Sequence, residues 1–556
     1  MDEQITGQQA LAAVNDPETP GAVLQEIAAQ HPELWPQIAA HPQAYPGLLA
    51  WLDGHGDASV RYIVAARRAG MPTPVANPGP TRAEAAPTPQ SALLTTVPIQ
   101  TRFQANQAAY AQPVSSQPAP PTAAKRGGSK KALIIILCVL LMVIGVGVYL
   151  IHGRGTSSTR NYGDGSFQSV TIAPDGSIIA AGVTFRNPEG ASQSIDDATV
   201  AKVRPDGTVI WTKTYPGGGG DMFQAVTVAP DGSIIAVGYT TGGGDFPATK
   251  GGQDAVIAKI SPDGSLVWAK TYGGSDMDWF TSVAIDPDGS ILAAGFTSGG
   301  GDFPVTKGFQ DAVIAKISPD GALDWLKTYG GSADEWFYSV AIAPDGGIVT
   351  VGYTSSTDGD FSANKGGMDA VIAKVSPDGT LEWAKTYGGS NDDWFSSVTI
   401  AQDGGIVTVG DTDSTDGDLA ATIGNRDAVV AKIGADGNLN WSKTYGGSDA
   451  DYFYSVGIAR DGSIVTAGVT KSTDGDFPAL KGGFDAAVAK IEADGTLNWA
   501  KTYGGSSDDE FDGVAVTSDG SIVAVGQTAS ADGDFPTTGG GKSAVLARLT
   551  ADGSLS

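Results

Sequence analysis

The sequence predicts an all-β, seven-bladed β-propeller with four-stranded blades over residues 160–556. One transmembrane helix and a disordered linker join it to a small all-α N-terminal domain. Three observations predict this organisation. The phrase KTYGGS, led by a tryptophan two residues upstream, returns every 57 or 58 residues from Trp268 through Trp325, Trp383, Trp441 and Trp499, with a variant at Trp211; a fixed period of this size marks a repeat architecture. Each period holds four short β-branched runs. An uncharged run of twenty residues, 132–151, separates the repeats from everything before them.

The unit 271–327 shows how a blade is read. Runs at 282–285, 290–295, 312–317 and 322–328 alternate and are rich in β-branched residues, which predicts strands. Pro-Asp-Gly signals between the first and second runs, and between the third and fourth, predict tight hairpins. Four antiparallel strands repeated radially make a propeller blade. The stretch GGSDMDWF is assigned to the link between blades, and GGGDFP or TDGDFP to the link between second and third strands. Tyr162, Tyr215, Tyr272, Tyr329, Tyr387, Tyr445 and Tyr503 mark seven unit starts, with six and eight blades as the alternatives. The last unit stops short of its fourth strand, and residues 160–163 (RNYG) stand for the missing KTYG. The N-terminal segment should therefore close the ring as the outer strand of the last blade, removing exposed edges.

These phrases resemble the bacterial β-propeller repeat family. Its G-Y-T-S stretch, D-F-P turn, D-A-V-I-A-K strand, P-D-G turn and T-Y-G-G phrase read here as Gly352-Tyr353-Thr354-Ser355, Asp302-Phe303-Pro304, 311–316, Pro319-Asp320-Gly321 and 328–331. The resemblance covers about residues 160–556 and implies a surface-exposed propeller, with no particular ligand. Residues 1–71 alternate Ala/Leu-rich helical stretches with Pro breaks, and Asn15-Asp16-Pro17 and Thr19-Pro20 suit helix starts. This segment resembles the variant leucine-rich-repeat domain of Gram-positive surface proteins. Residues 72–131 are rich in Pro, Ala, Gln, Ser and Thr and predict a disordered tether with a basic end.

Residues 132–151 are long enough to span a bilayer core, and lie too far from Met1 for a cleaved signal, so they predict a signal anchor. Lys125, Arg126, Lys130 and Lys131 flank the run on its N-terminal side. The positive-inside rule then puts residues 1–131 in the cytoplasm and, after a short spacer at 152–159, the propeller outside. The expected location is the cell membrane, single-pass. Residues 1–131 carry nine basic and nine acidic residues, so the whole formal charge of −27 lies beyond them. That acidity argues against nucleic acid as a partner.

The four histidines, His31, His41, His55 and His152, and the single cysteine, Cys138, all precede the propeller. A Ser-His-Asp or Cys-His nucleophile, or a His- or Cys-ligated zinc, cannot be built within it. Carboxylates remain. Strand alternation gathers the longer links on one face, with Asp276, Asp278, Asp334, Glu335, Asp392, Asp393, Asp449, Asp451, Asp508 and Asp509 from one kind of link. Asp302, Asp358, Asp360, Asp416, Asp418, Asp474, Asp476, Asp532 and Asp534 come from the other. This acidic face suits cationic partners or solubility alone. No cofactor is expected apart from Ca²⁺, a hard cation that the TDGD loops at Asp358, Asp360, Asp416, Asp418, Asp474, Asp476, Asp532 and Asp534 would suit as metal ligands; Gly-Asp pairs are also ordinary turn formers.

The recurring tryptophans of the W-x-K-T-Y strand read as inter-blade packing. Trp279, Trp336 and Trp394 differ, because their position holds Met222, Tyr452 and Glu510 in other units. With Asp276, Asp278, Asp334, Glu335, Asp392 and Asp393 beside them, they are the candidate ligand-binding patch, against partly buried packing as the alternative. The functional expectation is a non-enzymatic surface protein whose propeller binds an extracellular protein or glycan, while the helical domain recruits a cytoplasmic protein. The alternatives are a transmembrane sensor and a glycan-cleaving enzyme using paired carboxylates. For the enzyme, Arg186 and Glu189, in the most divergent unit, are the strongest symmetry breakers.

Overall fold

In the computed structural model the described residues are 159–186, 195–361, 363–477, 480–535 and 541–556, with positions 19, 23, 24, 27, 28, 31, 34, 38 and 52 of the N-terminal segment. The chain divides into two compact units, Met1–Gly128 and Ser129–Ser556. In the first, Val23, Leu24, Ile27 and Ala28 are helical, and Leu24, Ile27 and Ala28 are fully buried at the spacing of one helix face. The tether at 72–131 and the span at 132–151 lie outside the described residues. No described helix is long and apolar enough to cross a membrane.

The described residues of the second unit are strands and turns, with one short 3-10 turn at Gly359–Phe361. Five four-stranded antiparallel sheets and one seven-stranded sheet follow one another, and the seven-stranded sheet is two blades sharing one long strand. That strand is Thr159–Ile172. Its residues 159–164 pair with Ser543–Leu549, and its residues 165–172 pair with Ile178–Arg186. Seven blades result: 165–215, 222–272, 278–329, 335–387, 393–445, 451–503, and 509–549 completed by 159–164. Each packs on the next and the seventh on the first. The ring closure predicted from RNYG is thus present.

Blade 3 shows one difference from the expected strands. Its first strand is Asp278–Ile285, four residues earlier than the alternation implies. The segment Asp-Trp-Phe belongs to the sheet and not to the inter-blade link. Asp278 and Trp279 pair with Thr297 and Phe296, beyond a bulge at Thr281 that lies between the Phe280–Gly295 and Ser282–Ala294 pairs. A Cβ on Gly295 would lie 1.9 Å from the Trp279 carbonyl oxygen, so only glycine lets the backbones approach. The bulge breaks strict alternation, and both faces of the segment are buried, which hides the strand from a period-two reading.

The core lies between blades. Seven apolar clusters each join residues of two adjacent blades. Six include the tryptophan of the W-x-K-T-Y strand at their rim. That strand clasps the Pro-Asp-Gly turn of the next blade. Tyr215, Tyr329 and Tyr445 donate their hydroxyls to Gly264, Gly379 and Gly495 carbonyls at 2.9, 2.8 and 2.7 Å. The indoles of Trp211 and Trp325 donate to Pro262 and Pro377 carbonyls, both at 3.2 Å. Gly321, at φ +87°, lies against the Trp268 ring, which a Cβ would approach to a tight 3.2 Å. The expected inter-blade role of these tryptophans is what the structure shows. Near the axis, hydroxyls of Ser282, Ser339 and Ser455 accept the backbone N–H of Val340, Val398 and Val514 in the following blade, satisfying an inner edge that would otherwise be open.

Candidate functional site

The KTYGGS phrase ends in three successive backbone N–H groups, and in blade 4 three carboxylates take one each. Gly330 N–H donates to Asp360 at 3.0 Å, Gly331 to Glu335 at 2.7 Å and Ser332 to Asp358 at 2.7 Å. The same triad recurs at 446–448 with Asp476, Asp451 and Asp474, and at 504–506 with Asp534, Asp509 and Asp532. In blade 5, Asp393 and Asp416 hold Gly389 and Ser390. Consecutive N–H groups form an anion-binding nest, and here the chain's own carboxylates fill it. The TDGD loops therefore act as caps. Among the described residues no group of three or more His, Cys, Asp or Glu is arranged to hold a metal ion.

The acidic face expected from the links separates into two populations. Asp278, Glu335, Asp393, Asp451 and Asp509 are fully buried and do not contribute an exposed charged rim. Each begins a first strand, and Asp278, Asp393 and Asp451 also accept the hydroxyls of Thr297, Thr412 and Thr470. Burial pushes the Asp278 and Asp393 carboxyls up to about 6, against the opposing pull of their hydrogen bonds. A second buried set, Asp254, Asp311, Asp369, Asp427 and Asp485, starts the third strands and caps the backbone just before them. Burial raises these as well. The sequence does not single out this second set because the D-A-V-I-A-K phrase reads as strand alone. Asp276, Asp358, Asp416, Asp418, Asp474 and Asp532 are exposed, and Asp334, Asp360, Asp392, Asp476 and Asp534 are partly so. Asp302, Asp449 and Asp508 belong to the same loops.

Trp279, Trp336 and Trp394 come to neighbouring positions of one arc, as expected, but they are buried at 6, 3 and 3 % exposure. Trp279 stacks on Tyr239 at 4.3 Å between centroids and Trp336 on Phe296 at 3.9 Å. The Arg426 guanidinium lies 4.3 Å over Trp394. A ring face already covered cannot stack a sugar, so the patch must be drawn from the residues around them.

Those neighbours form a crown in which the repeat varies most. Trp336 sits on Phe296 of the preceding blade and donates its indole N–H to Gln310 at 2.8 Å. Trp279 makes the same bond to Gln253 at 3.1 Å. Three places per blade therefore meet: one after the first-strand acid, one opposite it in the second strand, and one before the third-strand Asp. Blade 3 has Trp279, Phe296 and Gln310 there, blade 5 has Trp394, Asp411 and Arg426, and blade 7 has Glu510, Gln527 and Lys542. In blade 5, Arg426 is held by Asp413 at 2.6 Å and by buried Asp411 at 3.5 Å. In blade 7, Gln527 donates to Glu510 at 2.8 Å. Tyr338, Tyr452, Tyr454 and Phe484 complete the partly exposed aromatic members. The opposite face repeats closely through blades 1 to 6, with Lys202, Lys259, Lys316, Lys374, Lys432 and Lys490 each paired to a turn Asp of its own blade, and Arg548 stands in their place in blade 7. Shallow grooves there of about 210 and 180 Å³ are lined by these turns.

Arg186, a symmetry breaker in blade 1, pairs with Asp197 at 2.8 Å. Glu189 lies outside the described residues.

Residues 8–68 match the Leucine Rich Repeat Variant domain, and residues 229–266 match a β-propeller domain of unknown function, DUF5122. Regulatory protein FlaEY of Caulobacter vibrioides is 24 % identical over 363 residues, covering 57 % of this chain. The chain spans only 37 % of that relative's length. Among solved structures, an apocarotenoid oxygenase variant of Synechocystis is 13 % identical, with a TM-score of 0.33 over 62 % of this chain and 72 % of that one.

Proposed function

We propose that this chain is a single-pass membrane protein that presents its propeller at the cell surface as a binding module. Its crown would contact an extracellular protein or glycan, and its N-terminal leucine-rich-repeat-variant domain a cytoplasmic protein. The observation that supports this reading is the contrast between the two faces. Framework positions repeat from blade to blade, while unlike side chains concentrate at three adjoining places on one face. A scaffold constrains its packing positions and leaves recognition positions free to differ, and several weak contacts around a ring sum to useful avidity. The uncharged run 132–151 and its basic N-terminal flank support the surface placement.

Thiol labelling tests it. Cys138 is the only cysteine, so the full chain carrying Cys138→Ser and Ser265→Cys has one thiol, on an exposed turn of blade 2. A membrane-impermeant maleimide should label it in intact cells, whereas a cysteine placed at Ser91 in the tether should react only after lysis. Labelling of position 91 in intact cells, with position 265 protected, would reverse the topology.

A further inference from the structure

The loops between second and third strands carry an ion pair from blade to blade. Lys250 of blade 2 pairs with Asp302 of blade 3, and Lys307 of blade 3 with Asp360 of blade 4 at 2.5 Å. Lys365 pairs with Asp418 across the next seam, and Lys481 with Asp534 across the seam between blades 6 and 7, again at 2.5 Å. The ammonium also reaches a carbonyl of the nest, Gly330 at 3.2 Å for Lys307 and Gly504 at 3.4 Å for Lys481. Every cradle thus offers a carboxylate, and in these two a glycine carbonyl as well, to one ammonium group.

The seam between blades 5 and 6 has the cradle without the lysine. Asp476 accepts the Gly446 N–H at 3.2 Å and donates its own N–H to the Gly446 carbonyl at 3.0 Å, as Asp534 does with Gly504. The residue that should supply the ammonium is Ile423. Its backbone N–H is held by Asp427, the equivalent of the Asp311 and Asp485 that hold Lys307 and Lys481, so it starts from the same place in its blade. Its side chain is 65 % exposed. Among the described residues no cation pairs with Asp476. The nearby cations are committed elsewhere: Arg426 to Asp413 and Asp411, beneath which lies Trp394, and Lys471 to Asp449 at 3.6 Å.

We propose that this seam receives a primary ammonium group from outside, namely a lysine side chain of a partner protein. The vacancy has four filled counterparts in the same molecule, which define what fits it. Exposed Ile423 offers an apolar surface to the lysine stem, whose methylenes pack while the ammonium pairs. Exposed Asp474 and the surplus negative charge beyond residue 131 favour a cationic partner. This deepens the binding-module reading by placing one recognition point on the loop rim outside the crown.

The test uses saturation-transfer NMR on the detergent-solubilised full chain. The probe is an acetylated, amidated pentapeptide with one central lysine among glycines, and its control has norleucine instead. Transfer to the lysine ε-methylene should appear and be absent for norleucine. It should fall by about fivefold in Asp476→Asn, the size of one ion pair, and equally in Ile423→Lys, which fills the cradle with the repeat's own residue. Lys365→Ile should open a second vacancy at Asp418 and raise the signal. Equal transfer to both peptides, or a signal unchanged by Asp476→Asn and Ile423→Lys, would overturn the proposal. Because the readout is independent of which side of the membrane the propeller occupies, its failure and that of the surface reading are separable.

Discussion

Tyr329 and Tyr162 hold the same place in the repeat and face opposite situations. The Tyr329 hydroxyl donates to the Gly379 carbonyl of the next blade at 2.8 Å. The Tyr162 hydroxyl is buried with no hydrogen-bond partner among the described residues, and burial raises its pKa to about 12. Removing a hydroxyl that makes a hydrogen bond costs about 1 kcal/mol, whereas removing an unsatisfied one is neutral or favourable. Tyr329→Phe should therefore destabilise the protein by about 1 kcal/mol, and Tyr162→Phe should change it by less than about 0.5 kcal/mol or stabilise it, read from denaturant midpoints at constant slope. At this scale the sequence shows where carboxylates recur but not which way they point. Asp276 and Asp278 read alike in the chain, yet one is exposed and the other buried on Gly274. Only the register of the first strand against Thr297 separates them.

The strand ends carry the pH response. Two sets of buried carboxylates cap the first and third strands, with pKa values raised by burial and reaching about 6 at Asp278 and Asp393. A group that binds its proton more tightly in the folded state adds stability below its unfolded pKa of about 4 and loses it as pH rises through the folded value. Asp231, Asp378 and Asp519, exposed turn caps held down to about 2 by backbone and hydroxyl donors, act in the opposite sense and weaken the fold only below about pH 4. Melting temperature should thus rise between about pH 7 and about pH 5, then fall below about pH 4. A calorimetric series that declined steadily from pH 7 downward would show that the caps stay ionised in both states. The Pro-Asp-Gly hairpins and the second, third and fourth strands were legible from alternation and turn chemistry. The second half of the first strand, 282–285, was legible in the same way; its first half, 278–281, was not, because the bulge and two-sided burial remove the period that marks a strand.

The seventh seam is where the ring lacks its fastenings. The cluster joining blades 7 and 1 contains no tryptophan, unlike the other six. Gly165 stands where other first strands carry a capping acid, and Ser543 where third strands carry Asp. Among the described residues, 159–164 are held to the ring mainly by pairing with Ser543–Leu549 and by Tyr162. In native-state hydrogen exchange, amides of 159–164 and 543–549 should exchange at least about tenfold faster than the matching fourth- and third-strand amides of blades 3 to 6, since local opening follows local fastening. Uniform protection around the ring would exclude a weak seam. Ring closure and blade number were readable because RNYG is a recognisable remnant of KTYG. The crown was not, since it is assembled from three distant places per unit that only blade-on-blade packing brings together.

The account rests most on the crown being the binding face. Site-specific photo-crosslinking in intact cells reads that directly, with a benzoylphenylalanine replacing Tyr454 in the crown or Ser265 on the opposite, closely repeating face. A discrete adduct from position 454 and none from position 265 is the expected result. The same adduct from both positions, or an adduct from 265 alone, would contradict it.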